Sequence, residues 1–181
     1  EPAPTRTQLE YQKQGIEIEK NYLEKLNSNK KIKLVNIEKI DAKKKKESTI
    51  KAFEDGIDYI YQAKLGSKEF SGYPDFLKKV DTPSKLGDYS YEVIDVERSK
   101  EPKQENVTQL LLYSYLLSKI QGVLPKQITI INGRSHKENK FKVVDFNEIF
   151  KEIKNDFSKY VSDLEQKTNE GLIETLYEEC E

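Results

Sequence analysis

The chain has 181 residues, enough for a domain with a hydrophobic core, and hydrophobic and charged residues each make up 35% of it. Its formal net charge of −1 excludes binding to nucleic acid through overall positive charge, so any such contact must come from a local basic patch. The single cysteine, Cys180, excludes an internal disulfide and is typical of a reducing compartment.

No apolar run approaches the roughly 20 residues that span a bilayer, so we expect a soluble cytoplasmic protein that does not enter membranes. The sequence contains no methionine and therefore lacks an initiator residue. We expect a single domain over residues 1–181 that is a piece of a larger protein.

The first third of the chain is predicted to hold two helices with an extended segment between them. Helical spacing of apolar side chains indicates a helix over 9–27, and alternation indicates a strand or an irregular extended piece over 30–41. Ser48 is expected to cap a short helix over 48–55. The four lysines at 43–46 are interpreted as a solvated turn, with phosphate contact as the less favoured alternative.

Strands dominate the middle of the chain. Three strand-like runs, over 57–65, 69–80 and 89–97, are separated by short turn-forming segments, which predicts an antiparallel meander.

The remainder is predicted to alternate between helices and strands. A helix with a broad apolar face over 105–120 is followed by strands over 127–131 and 141–144, and an amphipathic helix over 146–164 completes the order. This order predicts the α/β class, with a mixed central sheet flanked by helices.

Carboxylates occur in the second and third predicted strands. Asp95 and Glu97 are two residues apart and share one face of a strand, and hairpin pairing can bring Asp75 alongside them. Three converging carboxylates repel one another unless a cation neutralises them, and ligands that are all oxygens suit Mg²⁺ or Mn²⁺. Asp75, Asp95 and Glu97 are therefore candidate metal ligands. The alternative is that they are ordinary turn and strand residues, since acidic pairs are common in strands.

Three motifs occur in a fixed order between about Gly15 and Pro125. They are Gly72-Tyr73-Pro74-Asp75, Asp95-Val96-Glu97, and the pair Gln109 and Tyr113 on the helix that follows. In this order they resemble the RecB-like exonucleases of the PD-(D/E)XK nuclease superfamily, which are related to the CRISPR-associated RecB-like nucleases.

The resemblance implies a restriction-endonuclease-like core and a nuclease that depends on Mg²⁺ or Mn²⁺. Asp75 and Asp95 would be metal ligands, Glu97 a ligand or a catalytic base, and Gln109 and Tyr113 would organise the site and the DNA near it. For Gln109 and Tyr113, ordinary helix packing is the alternative. The implied partners are DNA, as a single strand or a double-stranded end, and a helicase or other nucleic-acid-processing module in the same chain or a separate one.

The chain departs from the family pattern in its site residues. Glu97 stands where the family usually has Lys, although some restriction enzymes of this fold have an acidic residue there, and Lys100 is a candidate substitute for the missing cation. Ile18 stands where the family has a metal-binding His. Glu19 is either a site carboxylate or, the favoured alternative, an exposed helix residue. Many relatives also hold an iron–sulfur cluster, which needs four thiolates, so this chain with its single Cys180 cannot hold one alone.

These features lead to two hypotheses of nearly equal weight. The first is a metal-dependent deoxyribonuclease that hydrolyses phosphodiester bonds with a metal-activated water. The second is a catalytically inactive nuclease-like module that binds nucleic acid or a protein partner. A helical scaffold unrelated to nucleases is less favoured, because three consecutive strands are predicted.

Overall fold

The fold is described from a computed structural model, which covers residues 5–66, 71–99, 101–152, 155–156 and 159. The elements in chain order are helix α1 (Arg6–Ser28), strand β1 (Leu34–Asn36), helix α2 (Lys45–Glu54), strands β2 (Tyr59–Tyr61), β3 (Leu65–Gly66), β4 (Ser71–Gly72), β5 (Phe76–Val80) and β6 (Ser90–Glu97), helix α3 (Gln104–Gln121), strands β7 (Gln127–Asn132) and β8 (Glu138–Lys142), and a 3₁₀ helix (Val143–Phe146).

The chain divides into two compact units, Glu1–Asp145 and Phe146–Glu181. In the second unit residues 147–152 are helical, and Lys151 forms an ion pair with Glu148 at 2.7 Å. Of the helix predicted over 146–164, residues 153–154, 157–158 and 160–164 lie outside the described residues. Among the helices of the described part of the chain, none combines the length and apolar character needed to cross a bilayer.

Six strands form one mixed sheet in the order β1-β2-β5-β6-β7-β8. Strands β2, β5 and β6 are successive antiparallel neighbours, which confirms the predicted meander, although the short β3–β4 hairpin leaves this sheet between β2 and β5. Strands β6 and β7 are parallel, and α3 provides the long crossover that parallel neighbours require. The predicted α/β class, with a mixed sheet flanked by helices, is confirmed.

Helix α1 packs on one face of the sheet. It begins with a capping box, in which Thr5 Oγ1 accepts from the Gln8 amide at 3.3 Å and Gln8 Oε1 accepts from the Thr5 amide at 2.7 Å. Its buried Tyr22 meets the ring of Phe76 edge-on, with 5.2 Å between the ring centroids. The apolar cluster beneath α1 contains Tyr22, Leu26, Tyr61, Phe76, Ile94, Val96 and Ile131. This packing fixes the position of α1 relative to β5 and β6.

Helix α3 packs against β6 and β7. Its Leu110, Leu111 and Leu117 are fully buried. The buried side chain of Gln121 accepts from the Tyr91 amide at 2.9 Å and donates to the Tyr91 carbonyl at 3.2 Å, so α3 is joined to β6 by hydrogen bonds as well as by apolar contact.

Strand β6 presents different side chains to its two faces. Because side chains alternate along a strand, Ile94 and Val96, which pack under α1, leave Val93, Asp95 and Glu97 on the opposite face. The predicted alternation at the end of this strand is confirmed.

Four predicted boundaries are wrong. The run predicted as one strand over 69–80 is divided between β4, in the two-stranded sheet, and β5, in the six-stranded sheet. Helix α2 begins at Lys45, because Asp41 starts the preceding turn by accepting from the Lys43 amide, so Ser48 is inside the helix and is not its cap. The strand predicted over 57–65 is interrupted at Gln62, whose φ is 55°. Strand β8 spans 138–142 and not 141–144, because its five residues pair with residues 127–131 of β7.

A close approach between α1 and the β7–β8 turn yields a stability prediction. A Cβ added to Gly133 would lie 1.7 Å from Ile18 Cγ2, and Ile18 is β-branched and has little rotamer freedom in a helix. Gly133→Ala is therefore expected to lower the free energy of unfolding by about 1–3 kcal/mol in urea denaturation. Gly15→Ala is the control: its Cβ meets nothing within 4 Å, and it should stabilise α1 by roughly 0.5–1 kcal/mol. Unchanged stability of Gly133→Ala would contradict this packing.

Candidate active site

The three carboxylates predicted as ligands meet where β5 begins and β6 ends. The antiparallel register pairs Phe76 with Ile94, which places Asp75 opposite Asp95. Directly opposed residues of an antiparallel pair point to the same face, and Glu97, two residues beyond Asp95, shares that face as well. The structure therefore brings Asp75, Asp95 and Glu97 together.

Asp75 is held in place by two hydrogen bonds. Its Oδ2 accepts from the Val96 amide at 2.9 Å, and its Oδ1 accepts from Gln62 Nε2 at 3.3 Å. Because β5 begins only at Phe76, the Val96 amide lies beyond the hydrogen-bonded ladder, and the Asp75 carboxylate satisfies it. The side chain of Asp75, a candidate ligand, thus also completes the end of the β5–β6 ladder.

Gln62 connects helix α1 to the site, and the sequence analysis missed it. Its Nε2 donates to Glu19 Oε1 at 2.8 Å as well as to Asp75, and its own amide donates to the Asp75 carbonyl at 2.9 Å. Its φ of 55° is left-handed, which costs a non-glycine residue about 1–2 kcal/mol. The only sequence signal was a polar residue directly after the run Tyr59-Ile60-Tyr61.

Glu19 lies beside the candidate site. It is half-buried, bonded to Gln62, and close enough to Asp75 for its charge to raise the pKa of that group. The favoured expectation of an exposed helix residue is therefore wrong, because the packing of Tyr22 on the sheet turns this part of α1 toward the strand ends.

The electrostatics of the site reflect crowded negative charge. Burial, and then the charges of Asp95 and Glu19, hold the pKa of Asp75 well above its usual range. Burial, and then the charge of Asp95 and a hydrogen bond with it, raise the pKa of Glu97 to about 7, while the positive charge of Lys103 acts in the opposite direction. Asp95 therefore interacts with both other carboxyl groups.

A cavity of about 420 Å³ opens beside these carboxylates. Gly15 leaves this side of α1 without a side chain, since an added Cβ would meet nothing within 4 Å. The cavity is lined by Tyr11, Gln12, Gly15, Ile16, Glu19, Asp75, Asp95, Val96, Glu97 and Arg98. A ligand entering it would meet α1 on one side and the carboxylates on the other.

Helix α3 contributes Asn106, which the sequence analysis also missed. Its Nδ2 donates to Glu97 Oε1, so it orients the carboxylate of Glu97. Within the described residues, Asn106 Oδ1 is buried and has no hydrogen-bond partner. The only sequence signal was a polar residue in the first turn of a predicted helix.

Gln109 and Tyr113 form a hydrogen-bonded pair on α3, with Gln109 Nε2 donating to Tyr113 Oη at 2.8 Å. The pKa of Tyr113 is raised by burial and, to a smaller extent, by the charges of Asp95 and Asp75. A Cβ on Gly72 would lie 2.4 Å from the Tyr113 ring, so glycine at that position leaves space for the ring. Tyr113 thus packs against Gly72, and it lies near enough to Asp95 and Asp75 for their charges to raise its pKa.

Basic residues near the site were expected at Lys100 and, as an alternative, in the lysine run at 43–46. Lys100 lies outside the described residues, whereas Lys103, directly before α3, is the lysine whose charge acts on Glu97. In the lysine run, Lys45 Nζ lies 5.5 Å from the ring centroid of Tyr73, two residues before Asp75. Phosphate contact by the run therefore stays open as an alternative.

Ile18, at the position where the resembled family has His, is one of the hydrophobic side chains packed against the cluster beneath α1, and it reaches Gly133. The ligands that remain are carboxylates alone, which is the donor chemistry that Mg²⁺ and Mn²⁺ prefer. Within residues 5–66, 71–99 and 101–152, no three His, Cys, Asp or Glu side chains already stand in a metal-binding arrangement. The carboxylate oxygens fit a hard divalent cation. Binding such an ion would require the carboxylates to move closer together. The metal therefore stays a prediction.

Comparison with models of protein families gave no match to this chain, and comparison with curated proteins gave none either. The link to RecB-like nucleases is therefore a resemblance in motifs. Any function proposed for this chain therefore rests on the arrangement of its site residues.

The raised pKa of Glu97 makes stability depend on pH. Between the ordinary glutamate value of 4.5 and a folded-state value of about 7, the folded chain holds a proton that the unfolded chain has lost. The contribution of Glu97 to stability should therefore be greatest below about pH 4.5 and should fall as the pH rises through that window.

Glu97→Gln removes this dependence. In metal-free buffer it should be more stable than the wild type at pH 8 by roughly 1 kcal/mol, a figure reduced because Glu97 is partly exposed, and equally stable near pH 4. Urea unfolding in EDTA at both pH values measures the difference, with the exposed Glu17→Gln as control. Equal stability of Glu97→Gln and the wild type at pH 8 would argue against the crowding of charge at this site.

Proposed function

We propose that this chain is a metal-dependent deoxyribonuclease that hydrolyses phosphodiester bonds with a metal-activated water. The observation that carries the proposal is the convergence of Asp75, Asp95 and Glu97 beside an open cavity, with the pKa of two of them raised. Among the described residues, none of these three carboxylates forms an ion pair with a lysine or arginine, as a structural cluster would. Uncompensated acidic groups in a cleft are typical of functional sites.

Asp75 and Asp95 would hold the Mg²⁺ or Mn²⁺, with Glu97 as a third ligand or as the base. The bound ion would lower the pKa of a water molecule and stabilise negative charge on the phosphate. Glu97 would accept a proton from the water, and Asn106 holds its carboxylate in one orientation. In the reaction the water oxygen bonds to phosphorus, the bond from phosphorus to the leaving oxygen breaks, the water's proton passes to Glu97, and the leaving oxygen takes a proton from solvent.

Positive charge would come from the residue directly before helix α3, and residues on α3 would position the DNA strand. Glu97 cannot supply the charge of the lysine that the resembled family has there, and Lys103, whose charge already acts on Glu97, would stabilise the phosphate instead. The hydrogen-bonded pair of Gln109 and Tyr113 would position the strand near the carboxylates. The substrate would be cytoplasmic DNA, as a single strand or a double-stranded end, presented by a helicase or another nucleic-acid-processing module.

Cleavage assays test this proposal. Linear single- and double-stranded DNA incubated with Mn²⁺ should be hydrolysed by the wild type, and Asp95→Ala should lower the rate roughly 100-fold or more, because it removes the carboxylate that interacts with both others. Asp88→Ala is the matched control, since Asp88 is exposed in the turn before β6. Cleavage unaffected by Asp95→Ala would exclude this site.

A second candidate is an inactive nuclease-like module that binds nucleic acid or a protein partner. Two observations favour it: Ile18 packs at the position of the family's His, and the acidic Glu97 stands at the position of its Lys. Such a module would keep the fold and the packing of Tyr113 on Gly72 without using a metal.

Calorimetry with Mn²⁺ distinguishes the two candidates. A nuclease should bind the ion at a defined stoichiometry, and Asp75→Ala should reduce the affinity at least roughly tenfold, because it removes a direct ligand. Asp88→Ala should bind as the wild type does. If the wild type takes up no Mn²⁺, or if Asp75→Ala binds it equally well, the inactive module is the better description.

A further inference from the structure

Helix α1 presents exposed apolar surface beside the carboxylates. Tyr11 is 52% exposed and Ile16 is 51% exposed, although both line the same cavity as Asp75, Asp95 and Glu97. One exposed aromatic residue on a helix is ordinary, but one at the mouth of a candidate active site offers a contact surface to whatever enters.

Arg98 joins this surface to the end of β6. It directly follows Glu97, and its guanidinium carbon lies 4.3 Å from the ring centroid of Tyr11. Its Nη1 also donates to Gln14 Oε1 at 3.4 Å. Among the described residues, Arg98 has no ion pair with a carboxylate, so its charge is free to attract an anion.

The pair combines the two contacts that an unpaired nucleotide offers. Tyr11 keeps half of its surface exposed even with Arg98 against its ring, so a second planar group can stack on it. Arg98 can bond the adjoining phosphate. Base stacking on aromatic rings together with basic side chains on the backbone is the usual way in which single strands are bound without regard to sequence.

We propose that Tyr11 and Arg98 form a stacking site for one unpaired base next to the phosphate at the carboxylates. The position of that phosphate rests on the proposed function, whereas the stacking itself does not. A base inside a duplex is already stacked on both faces, so it would have to leave its partner to occupy this site. The preferred ligand is therefore a single strand or an unpaired end.

Binding measurements test the stacking site apart from catalysis. Fluorescence anisotropy would compare a labelled 12-nucleotide oligo-dT with a duplex of the same length, in Ca²⁺, with the integrity of the oligonucleotides checked on a gel. Tyr11→Ala should weaken binding of oligo-dT roughly 5- to 100-fold, Tyr11→Phe should retain the affinity, and neither should alter duplex binding. Both variants should melt close to the wild type, because the side chain of Tyr11 is exposed.

The outcomes separate the two proposals. The stacking site is overturned if Tyr11→Ala binds oligo-dT as well as Tyr11→Phe does, or if the wild type prefers the duplex or binds neither. If Asp95→Ala abolishes cleavage while Tyr11→Ala binds normally, only the stacking site fails. Tyr11-dependent binding by a chain that cleaves nothing in Mn²⁺ would support the stacking site and contradict the nuclease.

Discussion

Repulsion between neighbouring carboxylates is the constraint around which this end of the sheet is built. The β5–β6 register forces Asp75 and Asp95 side by side, and Glu97 follows on the same face. Hydrogen bonds from the Val96 amide and Gln62 hold Asp75 there against that repulsion. Together with burial, this repulsion raises the pKa of Asp75 and of Glu97. A fold maintains such an arrangement at a cost in stability, which is more typical of a working site than of structural support.

The helices on the two faces of the sheet supply different parts of the site. Helix α1, fixed by Tyr22 against Phe76, brings Glu19 and the open surface at Gly15 to the cavity. Helix α3, which crosses from β6 to the parallel β7, begins next to Glu97 and places Asn106 on it. The parallel crossover therefore determines both the topology of the sheet and the surroundings of the candidate base.

Elements that follow from a regular spacing of apolar residues along the chain could be predicted from the sequence. The presence of helix α1, the apolar face of α3, the three-strand meander and the shared face of Asp95 and Glu97 depend on local spacing, and the structure confirms them. Predictions at Ser48 and at the strand through Gln62 failed, because an earlier turn at Asp41 and a left-handed residue interrupt the pattern. Glu19 was misjudged since its environment is created by residues more than 40 positions away.

The sequence by itself determined the α/β class and the candidate ligands Asp75, Asp95 and Glu97, because helical and strand periodicity follow from backbone geometry alone. Only the tertiary structure decided that Gln62, Asn106 and Glu19 join them, that Ile18 packs on Gly133, and that Arg98 lies against Tyr11. The reason is physical: these contacts connect elements that are distant along the chain, and their existence depends on how the helices pack on the sheet. Local spacing carries no information about that packing.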